Sequence, residues 1–251
     1  MAGVEGRVAL VTGGSRGIGR STAELLAARG ARVMCVARGR GELEDVGLAY
    51  SVADLGTPEG CADAVRDVEK RLGPVEILVC NHGIGSAHER VIWEQDPDIW
   101  RETMRVNLDG PFYLSRLVLQ GMTERGYGRV VFTSSTAGLV AEHAGSAYTS
   151  SKHGLLGLMR SVAQDGGSFG VTSNAVLPGW VQTEMAERSA LQESKDRGIP
   201  TEQVWAERAA LYPAGRVVTS REVAEVIAFL ASEESSGVNG EAIRVALGST
   251  W

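Results

Sequence analysis

Arg7-Val8-Ala9-Leu10-Val11-Thr12-Gly13-Gly14-Ser15-Arg16-Gly17-Ile18-Gly19 stands near the start of the sequence, and Arg20-Ser21-Thr22-Ala23-Glu24-Leu25-Leu26-Ala27-Ala28-Arg29-Gly30 follows it. The first six residues are a short, mostly apolar run of the kind a buried strand shows. The second stretch carries helix-forming residues and stops at a glycine. Strand, glycine turn and helix in that order form a cradle for a dinucleotide. Glycines let the backbone approach a pyrophosphate, and the helix start supplies N–H groups and a positive dipole end. The spacing is Gly-x-x-x-Gly-x-Gly rather than the commoner Gly-x-Gly-x-x-Gly, so the turn read alone could also be a plain loop.

Working outward, strands and helices alternate without a linker. Strands are expected at Arg32–Ala37, Gly47–Val52, Glu76–Cys80, Arg129–Thr133, Val171–Leu177 and Ala242–Ala246. Thr57-Pro58 and Asp96-Pro97 each place a capping residue before a proline, the signature of a helix start. The first helix should reach about Leu72 and the second Asn107. Further helices are expected from Pro111 to Arg125, around Tyr148 to about Gln164, and from the capping box Thr219-x-x-Glu222 to Ala231. Repeated β-α units predict one parallel, doubly wound α/β sheet of about seven strands with helices on both faces. In such sheets ligands lie beyond the carboxyl ends of the strands. A chain of 251 residues fits one domain of this kind, 1–251.

Tyr148 and Lys152 stand four residues apart, thirteen residues after Ser135. On a helix that spacing puts both side chains on one face. A neighbouring ammonium favours the phenolate and lowers the tyrosine from its ordinary ~10. A drop of about three units needs about 4 kcal/mol, which the lysine and a cofactor positive charge would share. The tyrosine then exchanges protons near neutral pH, and the Ser135 hydroxyl polarises a carbonyl oxygen. Tyr-x-x-x-Lys alone is also an ordinary amphipathic spacing.

With these motifs in hand the chain resembles a short-chain dehydrogenase/reductase of about 250 residues, over nearly its whole length. Cys80-Asn81-His82-Gly83 occupies the place of the family's Asn-Asn-Ala-Gly. Asn107, in Val106-Asn107-Leu108, matches its fourth catalytic residue, and Pro178-Gly179-Trp180-Val181-Gln182-Thr183 its segment beside the nicotinamide. The resemblance implies a Rossmann-like fold and a catalytic set of Asn107, Ser135, Tyr148 and Lys152. It implies cofactor contacts at Gly13, Ser15, Arg16, Gly17, Ile18, Gly19, Arg38, Asp54, Leu55, Asn81, Gly83, Pro178, Gly179, Val181 and Thr183, besides Tyr148 and Lys152. Asp54 and Leu55 would meet the adenine, Lys152 the nicotinamide ribose, and Asn107 a water relaying protons from Lys152. It also implies that residues 184–213 form a mobile lid; a surface helix pair is the plainer reading.

The end of the second strand holds Ala37 and Arg38 where an acid would mark NAD, and Arg16 lies in the glycine turn. Two arginines favour a 2′-phosphate, hence NADP(H). The expected activity is NADP(H)-dependent hydride transfer between nicotinamide and a carbonyl or secondary alcohol. The alternatives are a 3-oxoacyl thioester reductase and, in another class, a cofactor-binding regulator without turnover.

Other features bound the function. A net charge of −6 offers no basic field for nucleic acid. No apolar run is long enough to span a membrane, and Met1-Ala2-Gly3-Val4-Glu5 lacks the regions of a signal peptide. Cys35, Cys61 and Cys80 form no Cys-x-x-Cys pair and read as reduced core thiols of a cytoplasmic protein. No His/Cys/Asp cluster has metal-ligand spacing, so no metal is expected. His82 departs from the family's small residue, and His143 is expected at the pocket rim. The Pro111 helix carries Phe112, Tyr113, Leu114, Leu117, Val118, Leu119 and Met122, and the Tyr148 helix Leu155, Leu156, Leu158 and Met159. These residues spread wider than one core-facing stripe, which points to a homotetramer, with a dimer as the fallback.

Overall fold

The computed structural model describes residues 3–86 and 88–249; Met1 and Ala2, in the segment read for a signal peptide, lie outside them. Seven parallel strands form one sheet: β1 (Val8–Thr12), β2 (Arg32–Ala37), β3 (Ala49–Val52), β4 (Ile77–Cys80), β5 (Gly128–Thr133), β6 (Val171–Pro178) and β7 (Ala242–Val245). Their order is β3-β2-β1-β4-β5-β6-β7. The chain winds outward from β1 to β3, then returns to lay β4 on the other side of β1. That reversal opens a crevice at the carboxyl ends of β1 and β4.

Strands buried on both faces explain the near-continuous apolar runs. Leu10, Leu78, Val130 and Phe132 point to one face, where α3 (Pro58–Arg71), α5 (Gly110–Arg125) and α6 (Ser146–Gly166) cover them. Ala9, Val11, Val79 and Val131 point to the other, against α1 (Gly17–Ala28) and α9 (Ser220–Leu230). A short α2 (Gly41–Glu44) follows β2, α4 (Pro97–Met104) precedes α5, and α7 (Glu184–Arg197) and α8 (Thr201–Ala210) pair beyond β6. The capping box at Thr219 and Glu222 forms as expected. All three cysteines are buried and unpaired, and burial pushes the Cys35 and Cys61 thiols up to about 12.

Two expectations change. The helix ending at Asn107 and the helix starting at Pro111 are one helical path, joined by a π-turn at Arg105–Asp109. Pro111 has no N–H for the Asn107 carbonyl, and its ring crowds that carbonyl. A locally widened turn accommodates both. The apolar excess of the helices is also largely absorbed within the chain. Leu114, Val118, Met122, Leu155, Leu156 and Met159 are buried, and Tyr113, Leu117, Leu119 and Leu158 pack against them. Phe112 stays 47% exposed. It is therefore the residue on these two helices with an uncovered apolar face.

Candidate functional site

The glycine turn folds against the end of β4. Asn81 and His82 N–H both donate to Thr12 Oγ1, at 2.9 and 3.2 Å, and Asn81 Nδ2 donates to the Gly13 carbonyl at 3.4 Å. Gly13 has φ 64°, a left-handed conformation that favours glycine. A Cβ at Gly19 would overlap the Gly13 carbonyl oxygen, so only glycine permits this approach of helix to turn. The N-cap of α1 is Arg16, with no side-chain cap and no acid in the first turn. Its N–H groups are thus open to an anion, and the cradle fits a dinucleotide pyrophosphate.

The 2′-phosphate side is less simple than the sequence implies. Glu42, on α2, accepts from Ser15 Oγ at 3.1 Å and from Arg16 at 3.3 Å. Arg16 also pairs with Glu184 at the start of α7. An acid absent from the end of β2 therefore arrives from the next element. Arg38 lies exposed at the end of β2, and its charge helps hold the Asp54 carboxyl below its usual range. Burial opposes that shift; the Gly56 N–H and Arg105, 3.0 Å from Asp54, favour it more strongly. Leu55 turns into the core, leaving Asp54 on the rim.

Ser135 follows β5, and its Oγ accepts from Ala137 N at 3.1 Å. Tyr148 and Lys152 lie on the first turns of α6, and the Ser135 hydroxyl favours the ionised form of the Tyr148 phenol. Lys152 is buried; Nζ donates to the Thr133 carbonyl at 2.9 Å and lies 5.5 Å from the Tyr148 ring centre. Burial lowers the lysine to about 8. The expected lowering also rests on a cofactor positive charge; among the protein's own groups burial, with the charges of Glu142 and Glu89, raises the tyrosine, and Ser135 opposes them. The lysine ammonium is directed to Thr133, so the protein's own groups keep the phenol protonated.

Asn107 sits in the π-turn, buried. Its Oδ1 accepts from Ile84 N at 2.8 Å, and its Nδ2 donates to the Ile84 carbonyl and Ser151 Oγ. The amide clasps the loop after β4, which carries Asn81 and Gly83, to the helix of Tyr148. Gly179 follows β6, and the N–H of Trp180 donates to Tyr212 Oη at 2.5 Å. Val181 is buried, and Thr183 caps α7 through Ala186 N. Every expected site residue thus follows the carboxyl end of a strand or lies on the helices beside it.

Sequence reasoning missed Glu89. This buried carboxylate accepts from Ala147 N at 2.8 Å and Tyr148 N at 2.7 Å. The N-cap of α6 is Gly145, with no side chain to cap the helix, so Glu89 does so from the loop before α4. Glu89→Ala leaves two buried N–H groups unpaired and should cost about 1–3 kcal/mol of stability. Denaturant unfolding measures this; an unchanged midpoint would contradict the capping role. His82 packs against Thr12, its Nδ1 2.8 Å from Oγ1, and burial drives it down to about 3, so it stays neutral. His143 is exposed and lines an open cavity of about 390 Å³ with Trp93, Glu142, Ala144, Ser146 and Thr149; neither Tyr148 nor Ser135 lines it. Among the described residues, no cluster could hold a metal ion, and no helix is long and apolar enough to cross a membrane.

Comparison with known proteins agrees with this geometry. Residues 13–250 match the family model described as enoyl-(acyl carrier protein) reductase. The chain is 34% identical over 250 residues to the 3-oxoacyl-(acyl-carrier-protein) reductase FabG of Salmonella typhimurium, covering 96% of each. It is 35% identical over 242 residues to the acetoacetyl-CoA reductase of Shinella zoogloeoides, covering 94% of this chain and 95% of that one. A crystal structure of an actinorhodin polyketide ketoreductase variant with NADPH superposes with a TM-score of 0.90 at 33% identity, covering 99% and 98% of the two chains. The chain belongs to the short-chain dehydrogenase/reductase family of oxidoreductases.

Proposed function

We propose that the chain is an NADP(H)-dependent carbonyl reductase in which Tyr148 exchanges the proton on the substrate oxygen. The observation that carries this reading is the placement of Ser135, Tyr148 and buried Lys152 beside the dinucleotide cradle. A bound nicotinamide supplies or accepts the hydride. Tyr148, kept protonated by its surroundings, gives its proton to the oxygen as a carbonyl is reduced. Ser135 donates to the same oxygen and fixes its direction. The ammonium of Lys152 spends one N–H on Thr133 and keeps two for ribose hydroxyls. The side-chain amide of Asn107 is already engaged. A water relay at this residue therefore falls to its main-chain carbonyl, which Pro111 cannot bond. Glycines 13, 17 and 19, with Ser15 and Ile18, hold the pyrophosphate. Arg16 and Arg38 take the 2′-phosphate, Asp54 and the main chain of Leu55 flank the adenine, and Asn81, Gly83, Pro178, Gly179, Val181 and Thr183 flank the nicotinamide.

Residues 184–213 would cover the substrate. Met185, in the first turn of α7, lies against the loop at Gly85, which supports a cover at that edge. A screen following reduced-nicotinamide absorbance tests the reading, pairing NADPH and NADH with ketones, β-keto esters and acyl thioesters. The names of the FabG and acetoacetyl-CoA reductase relatives favour the thioesters as a second reading, and turnover confined to thioesters would select it. A regulator without turnover has no need of all four groups, Asn107, Ser135, Tyr148 and Lys152.

Glu42 competes with the 2′-phosphate for Arg16. Glu42→Gln should therefore bind NADPH several-fold more tightly while NADH changes little; titration calorimetry measures both. Equal tightening of the two cofactors would show that Glu42 does not oppose the phosphate. Assembly is proposed as a homotetramer, with a dimer as the fallback. Light scattering should give a multiple of 26.6 kDa, and Phe112→Glu should lower it. A single-chain mass for the wild type refutes assembly. Leu156 is unsuitable as a probe of assembly, because it is buried in its own chain.

A further inference from the structure

Glu142 is a half-buried carboxylate on the loop between Ser135 and Tyr148. Its main-chain N–H donates to Thr149 Oγ1 at 3.3 Å, tying the loop to the first turns of α6. One carboxylate oxygen, Oε2, has a long 3.5 Å contact from Ser86 Oγ, on the loop after β4. Among the described residues no hydrogen bond reaches the other oxygen, Oε1. The group therefore stands between the loops after β4 and β5, with acceptor capacity to spare. A half-buried carboxylate left short of donors is unfavourable, and a ligand donor relieves it.

Its surroundings define what that ligand is. The charge of Glu142 acts on the Tyr148 phenol, and its ties to Ser86 and to Thr149, the residue after Tyr148, set it where the loops after β4 and β5 meet the first turns of α6. The buried arginine whose charge acts on Glu142 is committed elsewhere. Arg208 stacks on Trp180 and Trp205, at 3.7 and 5.1 Å, and bonds to Glu193, Ser189 and the Ala186 carbonyl. Glu142 also lines the cavity beside α6 and is the one carboxylate among its lining residues; Arg90, the one arginine there, is exposed and donates to the Glu89 carbonyl at 3.0 Å. A substrate tail leaving the carbonyl toward that cavity passes this carboxylate. The next residue but one, Ala144, has φ 48°, a conformation alanine rarely adopts and one that the surrounding contacts must enforce.

We propose that Glu142 selects substrates by charge: it accepts a hydrogen bond from a donor group on the substrate beyond the reacting carbonyl and rejects substrates that carry a carboxylate there. The inference rests on the carbonyl-reductase reading and narrows its substrate class to ketones with a hydroxyl or ammonium in the tail.

Three small ketones test it, with NADPH saturating: ethyl acetoacetate, neutral; acetoacetate, anionic; and 4-hydroxy-2-butanone, a donor. The readout is the ratio of kcat/KM for acetoacetate to that for ethyl acetoacetate. The wild type should favour the ester by at least about tenfold, the scale expected for like charges at close range. Glu142→Gln should raise the ratio about tenfold, mainly through KM for the acid, and should weaken use of the hydroxyketone relative to the ester. A wild type that reduces acid and ester equally overturns the proposal, even if the variant does not fold. So does a variant with an unchanged ratio. Absence of turnover on the ester by the wild type would overturn the reductase reading itself, and the proposal with it.

Discussion

Tyr148→Phe should lower turnover by at least ~100-fold, the scale of a lost general acid, while NADPH binding stays near its wild-type value. The substitution keeps the ring against Lys152 and removes only the hydroxyl. The surroundings sharpen the expectation. Burial, Glu142 and Glu89 hold the phenol in its protonated form, so the proton is in place when a carbonyl is reduced. Lys152 is directed to Thr133, and Ser135 has an ordinary hydroxyl. Single-turnover rates with saturating NADPH measure the loss directly. A phenylalanine variant with near-normal rates would remove Tyr148 from the chemistry.

Arg38→Ala should weaken NADPH by about 1.5–3 kcal/mol, the worth of hydrogen bonds to a charged group. That corresponds to roughly a 10- to 150-fold loss of affinity, with NADH little affected. Arg38 is the better probe of the phosphate site because Arg16 is shared with Glu42 and Glu184. Removing Arg16 would disturb the start of α7 as well as the phosphate contact. Equal weakening of NADPH and NADH in the Arg38 variant, or a wild type that prefers NADH, would contradict the phosphate clamp.

Much of this was legible in the sequence because it rests on local pattern. The apolar run Arg32–Ala37 is β2 at both ends, and Thr57-Pro58, Asp96-Pro97 and Thr219-x-x-Glu222 start helices where they stand. The glycine turn and the Tyr148–Lys152 spacing are local as well. What escaped depends on contacts between distant segments. Glu89 caps α6 from 58 residues away, Glu42 meets Ser15 across 27, and Glu142 meets Ser86 across 56. None of these glutamates stands in a recurring spacing. Pro111 misled for a different reason. Proline is a sound sign of a helix's first turn, yet here a π-turn carries the preceding helix into it. The bond from Lys152 to the Thr133 carbonyl was not legible, because spacing shows which groups are near but not which carbonyl the ammonium prefers.

Deuterium transfer tests the central claim most directly. NADPH labelled with deuterium on one face of its nicotinamide C4 would be incubated with the enzyme and a neutral β-keto ester, and the product examined by mass spectrometry and NMR. With one of the two labelled stereoisomers, the account predicts one deuterium on the carbinol carbon, and a hydroxyl hydrogen from water. Deuterium appearing on neither stereoisomer's product would contradict it. So would label arriving only when an enoyl thioester is offered and then on carbon of the former double bond, the reaction named in the family model's description.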